Sequence, residues 1–269
     1  MLLNIDDLDF SYDKKLDVLN NISINFDEPQ LVSIIGPNGV GKSTLIHCIN
    51  RILVPTGGVV KVDDLDVQEY NLKKLARSVA YVPYTTGDAF PLTVIDAVLI
   101  GRFPINDRRP KDEDFEKVYQ SLEALGITDL ALRPFNELSA GQKQKVALAR
   151  GLVREPKILL LDEPTANLDI RYQMEVVRLL HDLAHEWHML VIMISHDLNI
   201  AAKFSDMVIL LNNKQIFVVG TPEEVLTEEN IYDVYGVSSK VITDEGKPHV
   251  MLRAYSEGNK TNMVSTGRV

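Results

Sequence analysis

What this chain lacks narrows it before any motif is read. It has one cysteine, Cys48, in 269 residues, so no internal disulfide can form and no thiolate cluster can hold a metal. A reducing compartment suits that usage, and Cys48, set among Ile46 and Ile49, reads as a core residue. A basic excess is also missing. The formal charge of -10 and pI near 5.1 argue against a protein that grips long polyphosphate backbones, so nucleic acid is not an expected partner and any phosphate must be held locally. No apolar run approaches the roughly 18 residues needed to cross a bilayer, which makes any membrane role peripheral. Residues Met1 to Phe10 alternate apolar and acidic side chains and lack the basic flank and apolar centre of a signal peptide. Repeats and low-complexity blocks are absent. What remains is 45% hydrophobic, enough to bury the core of one large domain or two closely joined lobes.

The pattern of apolar residues predicts strands alternating with helices. Leu2 to Phe26 carries short alternating runs broken at Asp13, Lys14 and Lys15, as in an antiparallel hairpin with one solvated face. Leu31 to Ile35 is a compact apolar strand, followed by a glycine-rich turn and a helix over Thr44 to Ile52. From Thr93, with Asp96 three residues on as a capping box, the chain turns helical through Asp112 to Leu125 and Ser139 to Val153. Strand character returns at Ile158 to Leu161, then a helix over Arg171 to Glu186 and a strand over Met189 to Ile194. Such alternation implies a largely parallel sheet. Met207 to Leu211 and Gln215 to Val219 flank Asn212, Asn213 and Lys214 as a hairpin. Thr221 then caps a helix with Glu223 and Glu224 in its first turn. The polar stretch Glu257 to Val269 is expected to be disordered.

Chemistry concentrates in two places. Gly36-Pro37-Asn38-Gly39-Val40-Gly41-Lys42-Ser43-Thr44 matches the P-loop pattern, with the preceding strand and following helix that the pattern requires. Its glycines let successive backbone N–H groups turn inward around a β-phosphate at a helix N-terminus. Lys42 is then placed to reach β and γ phosphates and the Ser43 hydroxyl to ligate magnesium, without saying which machine uses the nucleotide. The strand Ile158 to Leu161 ends in Asp162 and Glu163. Beside a P-loop, Asp162 would hold magnesium through water and Glu163 would orient and deprotonate the attacking water. Ser139 and the Gly141 N–H, at a helix start, form a second anion site that one compact chain cannot easily aim at its own P-loop phosphate.

Leu138-Ser139-Ala140-Gly141-Gln142 resembles the signature of the ATP-binding cassette family, usually Leu-Ser-Gly-Gly-Gln, and the resemblance covers nearly the whole chain. Tyr12 sits where an aromatic stacks on adenine, or else packs on the β layer. Asn167-Leu168-Asp169 is similar to the family's D-loop, and His196 matches its switch histidine, which hydrogen-bonds the γ-phosphate. The resemblance implies an α/β fold: a P-loop NTPase (RecA-like) core over residues 1–84 and 156–235 with a small antiparallel β layer. It further implies an inserted α-helical signature subdomain over 85–155 and a strand-like segment with a tail over 236–269. It implies ATP and Mg2+ as cofactors and a head-to-tail homodimer. In that dimer each ATP lies between one chain's P-loop and the other chain's Ser139, Gly141 and Gln142, with Asp169 nearby. An integral membrane permease above it, an extracytoplasmic substrate-binding protein engaged indirectly, and a place on the cytoplasmic face of the membrane follow in the same way.

Two departures and one subfamily mark qualify this. The family's Tyr-Val-Pro-Gln reads Tyr81-Val82-Pro83-Tyr84 here. Either Tyr84 lacks a magnesium and water contact that glutamine makes, or it packs on the helical lobe and sets its orientation. Ala140 for glycine adds a methyl where backbone approaches phosphate. Gly101-Arg102-Phe103-Pro104 resembles a stretch of cassettes serving iron-siderophore, haem and cobalamin importers, as does the run Val241 to Val250 with Gly246-Lys247-Pro248. A helix C-cap glycine followed by proline explains the first stretch equally. The expected function is the ATPase motor of an importer. The alternatives are an exporter motor and a soluble, non-transport cassette ATPase, though neither a fused membrane span nor a tandem cassette or coiled-coil insertion is visible.

Overall fold

The computed structural model describes residues 1–13, 16–84, 92–103 and 110–253. Strands β1 (Leu3–Ser11) and β2 (Asp17–Phe26) form the expected hairpin, with Leu3 opposite Phe26 and register shifts beyond Ile5. Lys14 and Lys15 of its turn lie outside the described residues. After β3 (Gln30–Ile35) comes α1 (Lys42–Ile49), which starts two residues before the sequence pattern suggested and stops three residues earlier. It stops where Arg51 takes the left-handed conformation, φ 59°, and Ile52 N–H turns back to the His47 carbonyl.

Over 53 to 92 the sequence pattern predicts no strand or helix, yet the stretch holds β4 (Gly57–Val62), β5 (Leu65–Asp66), α2 (Leu72–Ser78) and β6 (Val79–Val82). Strand β4 pairs antiparallel with β1, Leu3 opposite Val62, so the β layer has four strands in the order β2-β1-β4-β5. The helical part follows as α3 (Val94–Leu99), α4 (Asp112–Ala124) and α5 (Ala140–Leu152). Thr93 and Asp96 form the predicted capping box on α3. Then come β7 (Ile158–Leu161), α6 (Ile170–His185), β8 (Leu190–Ile194), α7 (Leu198–Phe204), β9 (Met207–Asn212) and β10 (Gln215–Gly220). Asn213 and Lys214, φ 46° and 69°, make the two-residue turn between β9 and β10. Helices α8 (Pro222–Val225) and α9 (Glu228–Tyr235) lead to β11 (Ser239–Asp244) and β12 (Lys247–Leu252). Those last strands form a separate hairpin whose turn residues, Glu245 and Gly246, are both left-handed. The polar stretch 257–269 lies outside the described residues.

The second sheet has six strands in the order β10-β9-β3-β8-β7-β6, parallel except for β10. Strands β3, β7 and β8 are buried on both faces, and their alternation divides the core. Ile158, Leu160, Ile192 and Ile194 face a cluster shared with α1 and the β layer. Leu159, Leu161, Val191 and Met193 face one shared with α6 and the helical part. Each such side chain fully removed from water contributes about 1.5–3 kcal/mol, which fixes the strand order and hence which strand ends are neighbours. Among the described residues no helix is long and apolar enough to cross a membrane.

Candidate nucleotide site

The site grows from the carboxyl ends of three adjacent parallel strands, β3, β8 and β7. Loops leaving neighbouring strands at that end of a sheet face a common crevice. From β3 the chain enters the P-loop, where three glycines take positive φ: Gly36 at 145°, Gly39 at 77° and Gly41 at 109°. A β-carbon on Gly36 would lie 2.4 Å from the Leu211 carbonyl oxygen, and one on Gly41 would lie 2.6 Å from Leu19 Cδ2. Gly41 is also the N-cap of α1 and supplies no side-chain cap, so the first N–H groups of that helix are left for an outside acceptor. Asn38 and Gly39 are exposed at the rim, while Thr44 is buried under the turn.

Lys42 is buried, and its Nζ donates to the Gly36 and Pro37 carbonyl oxygens, both at 2.8 Å. Burial holds the pKa of its ammonium below the usual lysine value, with the Glu163 and Asp162 carboxylates opposing that shift. Ser43 Oγ donates to Asp162 Oδ1 at 3.3 Å. Desolvation pushes the Asp162 carboxyl up, against the Ser43 hydrogen bond, which lowers it; the Glu163 carboxylate adds to the rise, and His47 and Lys42 oppose it. A hydroxyl and a desolvated carboxylate side by side are the hard oxygen donors that magnesium takes. Among the described residues no group of three or more His, Cys, Asp and Glu could hold a metal, so such an ion would draw its other ligands from phosphate and water.

Glu163 sits in the left-handed region, φ 49°, two residues past β7. His196, two residues past β8, meets it: Nε2 lies 2.5 Å from Glu163 Oε1. Both strand ends are pinned, Asp162 N–H to the Val82 carbonyl at 3.0 Å and Ser195 N–H to the Ile34 carbonyl at 3.1 Å. Asp162, Glu163 and His196, each 121 or more positions from the P-loop glycines in sequence, thus reach one crevice through strand pairing alone. Tyr12 lies at the end of β1, 59% exposed, with its ring edge-on to Phe10 at 4.9 Å. That arrangement leaves a face free for stacking and also fits the packing alternative in part.

Ser139, Gln142 and Asp169 are occupied as helix caps. Ser139 Oγ accepts from Gln142 N–H at 3.3 Å, and Gln142 Oε1 accepts from Ser139 N–H at 3.0 Å, closing a capping box on α5. Asp169 Oδ1 accepts from Tyr172 N–H at 3.1 Å at the start of α6. Gly141 is small because Tyr172 packs there: a β-carbon would lie 2.6 Å from the tyrosine ring. The hydrogen bonds of these three residues are all local.

The structure removes the alternative explanation offered for the Gly101–Pro104 stretch. Gly101 is not a left-handed C-cap; it lies in a 3-10 turn, and a β-carbon on it would fall 2.3 Å from the Arg150 carbonyl oxygen. Arg102, buried, bonds Asp114 Oδ1 at 2.9 Å and the Val153 carbonyl at 3.1 Å, tying α4 to α5. Pro104 lies outside the described residues. Cys48 is core as read, its thiol pushed up to about 12 by burial. Two contacts went unread. His47 Nε2 meets the Tyr81 hydroxyl at 3.0 Å close to Asp162, and Asn167 Nδ2 donates to the Tyr84 hydroxyl. No local sequence signal announces either, because the partners lie 34 and 83 residues apart.

Comparison with known proteins agrees with this geometry. The ABC transporter family model matches residues 19–166. An uncharacterised ABC transporter ATP-binding protein of Methanocaldococcus jannaschii is 43% identical, over 93% of this chain and 98% of that one. The petrobactin import ATP-binding protein of Bacillus anthracis is 34% identical, over 88% of this chain and 87% of that one. Among solved structures, an inward-facing transporter ascribed to the metal-chelate type matches with a TM-score of 0.82 at 28% identity, covering 95% of this chain and 98% of that one. With a P-loop, an acid pair and a histidine converging at one sheet edge, and relatives matched along almost their full length, the chain belongs to the ABC transporter family of ATP-binding proteins, which hydrolyse ATP to power transport.

Proposed function

We propose that this chain is the motor subunit of an importer for metal chelates of the iron-siderophore, haem or cobalamin kind. Cassettes of this family form dimers and work with membrane permease subunits. The observation that carries the catalytic part is the meeting of Lys42, Ser43, Asp162, Glu163 and His196 at the ends of β3, β7 and β8. The import and chelate part is supported by what the relatives are named for, petrobactin, hydroxamate, enterobactin and cobalamin import among them.

In this reading the open N–H groups of α1 and the P-loop backbone take the β-phosphate. Lys42 exchanges the Gly36 and Pro37 carbonyls for phosphate oxygens, an acceptor that is charged rather than neutral. Ser43 and Asp162 would hold magnesium, which would offset the negative charge of the phosphates. Glu163 accepts the proton of the attacking water, and His196, already in contact with Glu163, contacts the γ-phosphate. Tyr12 stacks on the base. Ser139, Gly141 and Gln142 act on the nucleotide of a second copy, with Asp169 beside that junction, so ATP closes the homodimer and hydrolysis loosens it. The dimer sits at the cytoplasmic face under the permease. Ile100 and Phe103, 40% and 55% exposed beyond α3, are apolar surface that a permease would cover.

Glu163→Gln tests this. The amide keeps the shape but cannot take a proton, so steady-state hydrolysis should fall on the order of 10²-fold or more, while ATP still binds and traps a dimer visible by size-exclusion chromatography. Turnover near wild type would remove Glu163 from the mechanism. Co-purification with a permease, and ATPase stimulated by a chelate-loaded binding protein, tests the importer reading.

A further inference from the structure

Tyr84 stands two residues beyond β6, 39% exposed, and its hydroxyl oxygen accepts a hydrogen bond from Asn167 Nδ2. Asn167 belongs to the loop between β7 and α6 that begins with Asp162 and Glu163 and ends at the α6 cap, Asp169. This loop is stiffened from within. Ala166 N–H returns to the Glu163 carbonyl at 3.1 Å, and Gln173 Nε2 reaches the Thr165 and Leu168 carbonyls at 3.3 and 3.0 Å.

Two of its residues, Glu163 and Asn167, hold left-handed backbone, φ 49° and 60°. Such conformations are strained for non-glycine residues, less so for asparagine, and persist where surrounding contacts hold them. For Glu163 those contacts are the turn it opens, the His196 bond to its carboxylate and the Val82–Asp162 rung beside it. For Asn167 the side-chain contact is Tyr84. The bond continues the pairing of β6 with β7, Val82 opposite Leu161, past the strand ends. It grips the turn at the end opposite Glu163.

We infer that Tyr84 is a positioning residue for Glu163, acting through Asn167: it clamps the loop that presents the general base and touches neither nucleotide nor magnesium. The inference rests on Glu163 being that base. It differs from both readings of Tyr84 that the sequence left open, a missing magnesium contact and packing on the helical lobe, since the hydroxyl is bonded to the Asp162–Asp169 loop.

Tyr84→Phe keeps the ring and removes only the acceptor; Asn167→Ala removes the donor. One net hydrogen bond of about 0.5–1.5 kcal/mol corresponds to a fall in kcat of roughly 2- to 12-fold. Each purified full-length variant should show that loss, with KM and trinitrophenyl-ATP affinity unchanged. The double variant should be no worse than the more affected single. In the nucleotide-free chain, hydrogen exchange at Ala166 to Leu168 should quicken in both singles, a readout independent of catalysis.

Wild-type kcat and exchange in Tyr84→Phe would overturn the inference. So would additive losses in the double variant, or a rise in KM that accounts for the change. If Glu163→Gln keeps its turnover, the general-base reading falls first. If Glu163→Gln is inactive and Tyr84→Phe is normal, only the present inference falls.

Discussion

Two helix N-termini carry the candidate phosphate contacts, and they are finished in opposite ways. At α1 the N-cap is Gly41, φ 109°, with no side chain to bond the helix's first N–H groups. At α5 the N-cap is Ser139, whose hydroxyl and backbone are both satisfied by Gln142. An open helix start leaves orphan donors that an anion can fill at once. A boxed one is self-sufficient, and an anion there must compete with a cap worth about 0.5–2 kcal/mol. The P-loop end can therefore take an anion within one chain. The α5 end is stable alone, and in the proposed dimer it would engage only when a second copy brings phosphate to it.

The sharpest way to break that comparison is Lys42→Ala. It deletes a buried ammonium that bonds the Gly36 and Pro37 carbonyls of the P-loop and, in the proposed reading, would meet phosphate. A charge-assisted hydrogen bond of about 1.5–3 kcal/mol corresponds to roughly 10- to 150-fold weaker ATP binding, measured by equilibrium titration of dilute chain. Unchanged affinity would mean that α1 is not the primary site.

Ser139→Ala is the counterpart. Losing the cap should lower unfolding stability by about 1 kcal/mol in urea melts. ATP affinity of the dilute, monomeric chain should stay at wild type while the ATP-driven dimer weakens. If Ser139→Ala impaired ATP binding by the dilute chain as much as Lys42→Ala, the division of labour between the two ends would be wrong.

The smallest effect concerns the charge beside α1. Burial raises the Asp162 pKa, so its ionised form is disfavoured in the folded chain. With the folded pKa above the unfolded one, the folded state binds this proton more tightly. The contribution of Asp162 to stability is then most favourable at low pH and declines as the pH rises through the raised value. Asp162→Asn should make the nucleotide-free chain slightly more heat-stable at neutral pH. A lower melting temperature would show that the Ser43 and Lys42 contacts outweigh the desolvation.

Much of this was legible locally. The glycine spacing from Gly36 to Gly41 dictates a turn that only small residues can make, and the run Ile158 to Leu161 is too apolar to be anything but buried. Thr93 with Asp96 and Thr221 with Glu224 announce their helix starts, because capping is decided within four residues. The stretch from 53 to 92 was not legible: β4 opens with Gly57 and Gly58 and becomes a strand by pairing with β1, some 55 residues earlier. The C-cap alternative for Gly101 fails for a similar reason, since the buried Asp114 and the Arg150 carbonyl that surround Gly101-Arg102 come from other helices.

By itself the sequence determined the parts: a phosphate-binding turn, an acid pair on a buried strand, a capped helix start, and their order along the chain. These follow from backbone conformation and from hydrogen bonds that span only a few residues. Only the tertiary structure decided that β8 lies between β3 and β7, which brings His196 to Glu163 and Asp162 to Ser43. It also decided that Tyr84 is bonded to Asn167. Strand order and such pairings are set by burying both faces of the sheet at once, a condition on the whole chain that no short segment records.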